Sequence, residues 1–291
     1  MRVALVLGSG GARGYAHIGA IAELEERGHE VIAVAGSSMG ALVGGLYAAG
    51  VLDEYTTWAR GLTQGAVVRL LDPKWSAGGA IAAERVFAEV ERIVDDRLIE
   101  DLPIPFTAVA TDLRARREVW FQRGPLVSAL RASIAIPGVI TPVVVNGRLL
   151  VDGGLMNPVP IEPTAAAAAD LTVAISLSGD RSAREPNTPA REAAPSTWRG
   201  ELVERVRRTV GRERDAEPHD PFEDLRISDV VGLSMDAMQG IVTRYRMAGL
   251  PPDVLVTVPV SAARSLDFHR AAEMIDLGRN LTAEALDRAG H

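Results

Sequence analysis

Short runs of consecutive apolar residues alternate along the chain with longer segments whose apolar residues recur every three or four positions. Such runs are typical of strands that are buried on both faces of a parallel sheet. They predict strands at residues 3–7, 31–35, 104–111 and 171–177. The helical spacing predicts helices at residues 15–27, 41–49 and 82–94. Because strands and helices alternate, we expect a mostly parallel α/β layout with right-handed crossovers.

The second half of the chain continues the pattern. Asn146-Gly147 lies between the apolar runs 143–145 and 149–151, which predicts a β-hairpin. Further strands are predicted at 118–122 and 254–258. Helices are predicted within 51–100, at 126–132, in the alanine-rich stretch after Pro160 and at 267–289, and one or two helices are predicted at 224–247.

Residues 179–196 are polar, contain prolines and have no hydrophobic period, which predicts a mobile surface loop. A helix is predicted at 198–214, and a position on a membrane surface is one interpretation of its six arginines. We favour an ordinary solvated face, because three glutamates dilute the charge. No linker separates two units, so we expect one domain over 1–291, with a core at 1–178 and a mainly helical part at 197–291.

Composition narrows the class of protein. Of the 291 residues 47% are hydrophobic and 24% charged, as in an ordinary globular protein. The net charge of -7 argues against nucleic acid as a partner. Without cysteine there is no disulfide and no thiolate metal site. The sequence has neither a signal-peptide core nor a membrane span, so we expect a cytoplasmic protein, with peripheral membrane contact as the alternative.

The first candidate for chemistry is the turn between the second strand and the helix after it. Gly36-Ser-Ser-Met-Gly40 has the form G-x-S-x-G, in which a strained turn exposes a serine hydroxyl as a nucleophile. Gly36 and Gly40 leave room for such a turn. A plain strand-to-helix turn with a serine N-cap is the alternative, and these residues alone do not separate the two.

The second candidate is the glycine loop Gly8-Ser-Gly-Gly-Ala-Arg-Gly14. A dinucleotide site is disfavoured because the spacing departs from G-x-G-x-x-G and no acidic residue ends the second strand. We expect instead that the N–H groups of Gly10, Gly11 and Ala12 form an oxyanion hole, with Met39 as a further donor. Arg13 either supports this loop or attracts anionic substrates.

The third candidate is the base that a serine nucleophile needs. None of the five histidines is well placed for a Ser-His-Asp triad, and His17 is interpreted as a helix residue that supports the glycine loop. Asp152 follows a predicted strand and precedes Gly153 and Gly154, so its carboxylate could reach the hydroxyl of Ser38 directly.

Taken together, these stretches resemble the patatin-like phospholipases. The resemblance rests on 8–14 with 15–19, on 36–40, on Asp152-Gly-Gly154 with Asn157-Pro-Val-Pro160, and on Arg131-Ala-Ser-Ile-Ala-Ile-Pro-Gly138 between serine and aspartate. It covers roughly residues 1 to 178. One departure is Ser9, where the family often has glycine, and this could alter the donor geometry of the loop.

The resemblance implies a three-layer α/β/α sandwich and a Ser-Asp dyad that hydrolyses acyl esters of lipids. Ser38 would be the nucleophile and Asp152 the proton acceptor, beside the oxyanion hole already described. We also expect a supporting role for Gly8, Arg13, Gly14, Gly36, Gly40, Gly153 and Gly154. No metal or other cofactor would be needed, and the sequence contains no ligand cluster of the usual spacing.

Several functions remain open from the sequence. The leading hypothesis is a hydrolase of phospholipids, lysophospholipids or simpler esters. An acyltransferase or thioesterase on a similar elbow is the rival enzyme, and a lipid-binding regulatory protein that retains the elbow is the non-catalytic alternative. An α/β-hydrolase with a histidine triad is disfavoured, because its elbow normally follows more strands than two and no histidine is placed for it.

Overall fold

A mixed β-sheet forms the centre of the protein. The computed structural model describes residues 1–70, 84–137, 139–179 and 227–291. Within them, eight strands belong to one sheet: β1 (Arg2–Leu7), β2 (Glu30–Ser37), β3 (Phe106–Asp112), β4 (Arg117–Phe121), β5 (Val143–Val145), β6 (Arg148–Asp152), β7 (Leu171–Gly179) and β8 (Val254–Pro259). The four central strand pairs, β3–β2–β1–β7–β8, are parallel, whereas β4, β5 and β6 pair antiparallel at one side.

Helices connect these strands and cover the sheet. Their bounds are α1 (Ala16–Glu26), α2 (Met39–Ala48), α3 (Leu52–Arg60), α4 (Gln64–Leu70), α5 (Glu84–Val94), α6 (Leu126–Ser133), α7 (Ile227–Gly249) and α8 (Ala271–Ala289). Short 3-10 turns lie at Gly11–Tyr15, Ile99–Asp101, Gly153–Leu155, Glu162–Thr164 and Phe268–Arg270.

The alternating side chains of β1 separate the two faces of the sheet, because successive residues of a strand point to opposite sides. Leu5 and Leu7 belong to the main core, which also contains residues of α1, α2, α6 and α8. Val6 belongs to a smaller cluster on the other face, where Met247 of α7 packs against it. The molecule therefore has three layers, and the predicted α/β/α sandwich with a mostly parallel sheet is confirmed.

Most predicted elements appear with small shifts in their ends. β2 continues through Gly36 and Ser37. Residues 227–247, the described part of the predicted region 224–247, belong to one helix, α7. The predicted hairpin is present, with Asn146 and Gly147 both at positive φ, as its tight turn requires. The predicted loop at 179–196 and helix at 198–214 lie, apart from Gly179, outside the described residues.

The predicted alanine-rich helix after Pro160 is wrong. Only the 3-10 turn Glu162–Thr164 forms there, followed by turns up to β7. The segment has few large apolar side chains to bury, and a helix this short is unstable without such packing. Its end is instead held to β1, where the N–H of Arg2 donates to Asp170 and the N–H of Asp170 donates to the Arg2 carbonyl.

No helix in the described part of the chain combines the length and the apolar character that crossing a bilayer requires.

Candidate active site

The turn between β2 and α2 has the geometry of a strained elbow. Ser38 adopts φ 55° and ψ -125°, a conformation that costs energy for any residue with a Cβ and that persists only where surrounding structure imposes it. A Cβ on Gly36 would collide with the backbone of Gly40, and a Cβ on Gly40 would collide with the backbone of Leu7. The two glycines therefore allow the close packing that fixes the turn.

Strand pairing brings Ser38 and Asp152 together. β2 pairs with β3 from Phe106 to Val109, and β6 pairs with β3 from Ala110 to Asp112. Because β4 pairs with β3 over residues 108–112, β4 must occupy one edge of β3, and β2 and β6 must share the other. These two strands run towards each other along that edge, so the residues at their ends meet.

The Ser38 hydroxyl donates a hydrogen bond of 2.5 Å to Oδ2 of Asp152. The other carboxylate oxygen, Oδ1, accepts the N–H of Gly154 at 2.7 Å. Both side chains are buried, with Ser38 1% and Asp152 4% exposed. Of the histidines that the structure describes, none hydrogen-bonds to either group, and His219 lies outside the described residues.

Burial changes the acidity of Asp152. Loss of solvent raises the pKa of its carboxyl group from 3.8 to about 7, although the hydrogen bonds from Ser38 and Gly154 act in the opposite direction. A carboxylate with a pKa near neutrality is a much better proton acceptor than an exposed aspartate. The site therefore contains a hydroxyl hydrogen-bonded to a base whose pKa lies near neutral pH.

A second serine, Ser133, stabilises the elbow through hydrogen bonds. The hydroxyl of Ser133, at the end of α6, accepts the N–H of Ser38 at 2.9 Å and donates to the carbonyl of Val109 at 2.6 Å. It thus satisfies a buried N–H that the helix cannot use. Ser133 is not among the predicted site residues, although it lies in the stretch 131–138 that carries part of the family resemblance.

The glycine loop offers two backbone donors. No hydrogen-bond acceptor is present within the described residues for the N–H groups of Gly10 and Gly11. The N–H of Met39 is also unused by its helix, since the first bond of the elbow runs from Leu42 N–H to the Ser38 carbonyl. The N–H of Ala12, in contrast, donates to the carbonyl of Ser265 at 2.9 Å. It is therefore not available to a substrate in this conformation.

Arg13 supports the loop from within. It is 3% exposed, and its guanidinium donates to the carbonyls of Gly10 and Val260 and forms an ion pair of 3.2 Å with Asp236 of α7. Because these groups occupy the guanidinium, the geometry favours loop support over attraction of anionic substrates.

His17 contacts the same loop from α1. The Nε2–H of its buried ring donates to the carbonyl of Gly8 at 2.8 Å. Burial lowers the pKa of this imidazole to about 4, so it is neutral near pH 7.

The remaining glycines predicted to support the site lie in the same two regions. Gly14 packs against the side chain of Met39, Gly153 against the Val109 carbonyl, and Gly154 against the side chain of Ser9. Ser9, the departure noted in the sequence, therefore contacts the segment that carries Asp152. Its own N–H donates to the carbonyl of Pro158, so the backbone of the loop is held in spite of the extra side chain.

An apolar pocket opens beside Ser38. It encloses about 650 Å³ of empty space, part of which is open to solvent. Gly11 and Met39 lie in its wall next to the serine. The other described parts of the wall are α3, α4, α5, Tyr15, Leu42, Leu62, Ile134, Ile136, Ile140 and Phe268. Apart from Ser38 and the thioether of Met39, every side chain that the structure places in this lining is aliphatic or aromatic.

Comparison with known proteins identifies the family. Residues 5–165 match the model of the family described as patatin-like phospholipase, which covers more than half of the chain. The chain belongs to the patatin-like phospholipase family. The resemblance inferred from the motifs is thereby confirmed, and the family places the chain among hydrolases of lipids at that coarse level.

Two relatives illustrate the range of this patatin-like family. An uncharacterized NTE family protein of Mycobacterium tuberculosis is 45% identical over 98% of this chain and 91% of its own length. Patatin-like phospholipase domain-containing protein 6 of Homo sapiens is 33% identical over 60% of this chain, which corresponds to only 13% of the human protein.

A solved structure supports the fold. VipD from Legionella pneumophila aligns with a TM-score of 0.50 and 13% sequence identity, covering 99% of this chain and 67% of VipD. At this identity the similarity concerns the fold alone.

Proposed function

We propose that this patatin-like protein hydrolyses acyl esters of lipids with Ser38 as nucleophile and Asp152 as base. The observation that carries the proposal is the 2.5 Å hydrogen bond from Ser38 Oγ to a buried carboxylate, at a strained turn beside an apolar pocket. Each of these features is common by itself, but an acyl-transfer site needs all of them together.

In the first half of the reaction, Ser38 Oγ attacks the ester carbonyl carbon while its proton passes to Asp152 Oδ2. The carbonyl oxygen becomes an oxyanion. The N–H groups of Gly10, Gly11 and Met39, for which the described residues provide no acceptor, are the donors proposed to stabilise it. When the tetrahedral intermediate collapses, the ester C–O bond breaks and Asp152 returns the proton to the leaving alcohol. The acyl group is then bound to Ser38.

In the second half, water replaces the alcohol. Asp152 accepts a proton from the water as its oxygen attacks the acyl carbon, and the same donors hold the second oxyanion. The bond to Ser38 Oγ then breaks, and the serine recovers its proton from Asp152. The product is a free carboxylic acid.

The pocket supports an acyl chain as the part of the substrate that binds in the interior. The described residues that line it are apolar apart from Ser38 and the tyrosine hydroxyls, and they offer no charged partner for a head group. An acyl chain gains about 0.8 kcal/mol for each methylene that leaves water, so this lining favours long chains.

The proposal is tested by incubating the protein with a fluorophosphonate and measuring its intact mass. We expect one adduct on the wild type and none on Ser38→Ala, because only a serine activated by a base attacks the phosphorus. Ester hydrolysis should fall at least about a thousandfold in the same variant. Absence of an adduct on folded wild-type protein would favour a lipid-binding module, and an adduct that persists in Ser38→Ala would assign the nucleophile to another residue.

A further inference from the structure

The short segment after Asp152 contacts both halves of the candidate site. Within residues 152–158, here called the aspartate turn, the N–H of Asn157 donates to the Gly153 carbonyl at 2.9 Å. The carbonyl of Asn157 accepts the hydroxyl of Ser37, the neighbour of the nucleophile, at 2.6 Å. The carbonyl of Pro158 accepts the N–H of Ser9 in the glycine loop at 2.8 Å. A displacement of this turn would therefore move base, nucleophile and oxyanion donors relative to one another.

A buried amide anchors the aspartate turn to its surroundings. The side chain of Asn157 is fully buried, and its Nδ2 donates to Glu118 at 2.8 Å and to Glu162 at 3.1 Å. Glu118 lies on β4, on the opposite edge of β3 from the dyad, and Glu162 begins a 3-10 turn. Two carboxylates thus approach one neutral amide.

Arg246 of α7 completes this arrangement. Its Nη1 donates to Glu162 at 2.6 Å and its Nη2 to Glu118 at 2.9 Å, so each carboxylate bridges the arginine and Asn157. Its Nε donates to the carbonyl of Met156, inside the aspartate turn, at 3.1 Å. All three nitrogen atoms of the planar guanidinium therefore donate hydrogen bonds, an arrangement that the single ammonium group of a lysine could not reproduce.

The charges explain why an arginine is needed. Burial by itself would raise the pKa of Glu118, but hydrogen bonds from Trp120, Asn157 and Arg246 outweigh this effect and lower it. The carboxylates in turn raise the pKa of Arg246 against the opposing effect of its partial burial. Without the guanidinium, the carboxylates of Glu118 and Glu162 would lie on either side of the Asn157 amide without the cation that they share. Their mutual repulsion would then tend to displace the aspartate turn.

We propose that Arg246 is a positioning residue for the reaction, which holds Asp152 against Ser38 by fixing the aspartate turn. Arg246 touches neither substrate nor the reacting atoms, and it acts through Met156, Asn157 and the two glutamates. The inference rests on the proposed function. Misplacement of a reacting group by about 1 Å can reduce the rate by about a hundredfold, so small movements of the turn would be measurable.

The test compares Arg246→Gln and Arg246→Lys with the wild type, using a short-chain p-nitrophenyl ester. Arg244→Gln is the matched control, because Arg244 lies on the same helix, is exposed and changes the net charge equally. Rates are divided by the concentration of serine that reacts with a fluorophosphonate and are measured well below each melting temperature. We expect kcat of Arg246→Gln to fall about 10- to 100-fold with KM changed less than about threefold. Arg246→Lys should recover part of the loss, and Arg244→Gln should match the wild type.

Two outcomes would overturn the inference. One is a kcat per reactive serine in Arg246→Gln that stays within about twofold of the wild type, even if the melting temperature falls, since that result describes a purely structural residue. The other is an equal loss in Arg244→Gln. If Arg246→Gln does not fold, Arg246→Lys and Glu162→Gln are compared with the wild type instead. A kcat per reactive serine that stays within about twofold of the wild type in both variants would then overturn the inference. Failure of the wild type to react with the fluorophosphonate would instead count against the proposed function.

Discussion

Burial shifts two titratable groups of the site in opposite directions. It raises the pKa of the Asp152 carboxyl to about 7 and lowers the pKa of the His17 imidazole to about 4. In both cases the neutral form is favoured, because the charged form loses its hydration in the interior. The two residues therefore contribute pH dependences of opposite sign to the stability of the fold.

For Asp152, the folded-state pKa lies above the unfolded value of 3.8, so the unfolded chain loses this proton first as pH rises. Its contribution to stability is present below about pH 4 and is lost as pH rises through about 7. For His17, the folded-state pKa lies below the unfolded value of 6.5. Its contribution is present above about pH 6.5 and is lost as pH falls through about 4.

These signs predict opposite behaviour for Asp152→Asn and His17→Gln. Relative to the wild type, the free energy of unfolding of Asp152→Asn should increase by roughly 2 kcal/mol between pH 5 and pH 8. That of His17→Gln should decrease by a similar amount, roughly 2 kcal/mol, over the same interval. Urea unfolding at pH 5, 6.5 and 8 measures both, and each variant is the control for the other. Slopes of the same sign would contradict the assignment.

At the level of secondary structure, the elbow depends on how closely α2 approaches β1. A Cβ on Gly40 would overlap the carbonyl of Leu7, which belongs to the backbone of a central strand and cannot move away as a flexible side chain could. Helix propensity alone would favour alanine at this helical position. The close approach, rather than the propensity, explains the glycine.

Gly40→Ala should therefore destabilise the protein by about 2–3 kcal/mol, as overpacking of a rigid interior does. Gly240→Ala is the matched control: Gly240 also lies in a helix, α7, but a Cβ there would meet no described atom within 4 Å other than its chain neighbours and the backbone of its own helix. We expect that substitution to be neutral or to stabilise the protein by up to about 1 kcal/mol. Thermal unfolding of both variants measures the difference, and equal melting temperatures would show that α2 can move away from β1.

At the scale of the whole molecule, the apolar pocket is assembled from distant parts of the chain. Leu62 and Val67 come from the region of α3 and α4, Ile140 follows α6, and Phe268 precedes α8. These segments meet only because the sheet and its helices bring them together beside Ser38. The apolar lining beside Ser38 is thus a property of the tertiary structure.

A charge in this pocket should change the preference between long and short acyl chains more than the rate of the chemical step. Leu62→Glu places a carboxylate in the lining, and we expect kcat/KM for a p-nitrophenyl ester of about ten carbons to fall at least about tenfold more than for a four-carbon ester. Leu255→Glu is the control, because Leu255 is 41% exposed on β8. Equal losses on both esters would show that long chains bind elsewhere.

The sequence by itself determined the local features of this protein. The apolar runs located the strands, Asn146-Gly147 located the hairpin, and the glycines around Ser38 indicated the elbow. These features depend on residues a few positions apart, whose backbone preferences and periodicity are written directly in the chain. The same reasoning failed for the alanine-rich segment after Pro160, because whether a helix forms there depends on packing that helix propensity does not describe.

Only the tertiary structure decided which distant groups meet. Ser38 and Asp152 are 114 residues apart in sequence, and they touch because β2 and β6 end against each other along one edge of β3. The acceptor that occupies the Ala12 N–H comes from Ser265, and Arg246 reaches the aspartate turn from α7. No local pattern encodes such contacts, since they result from strand order and helix packing over the whole chain.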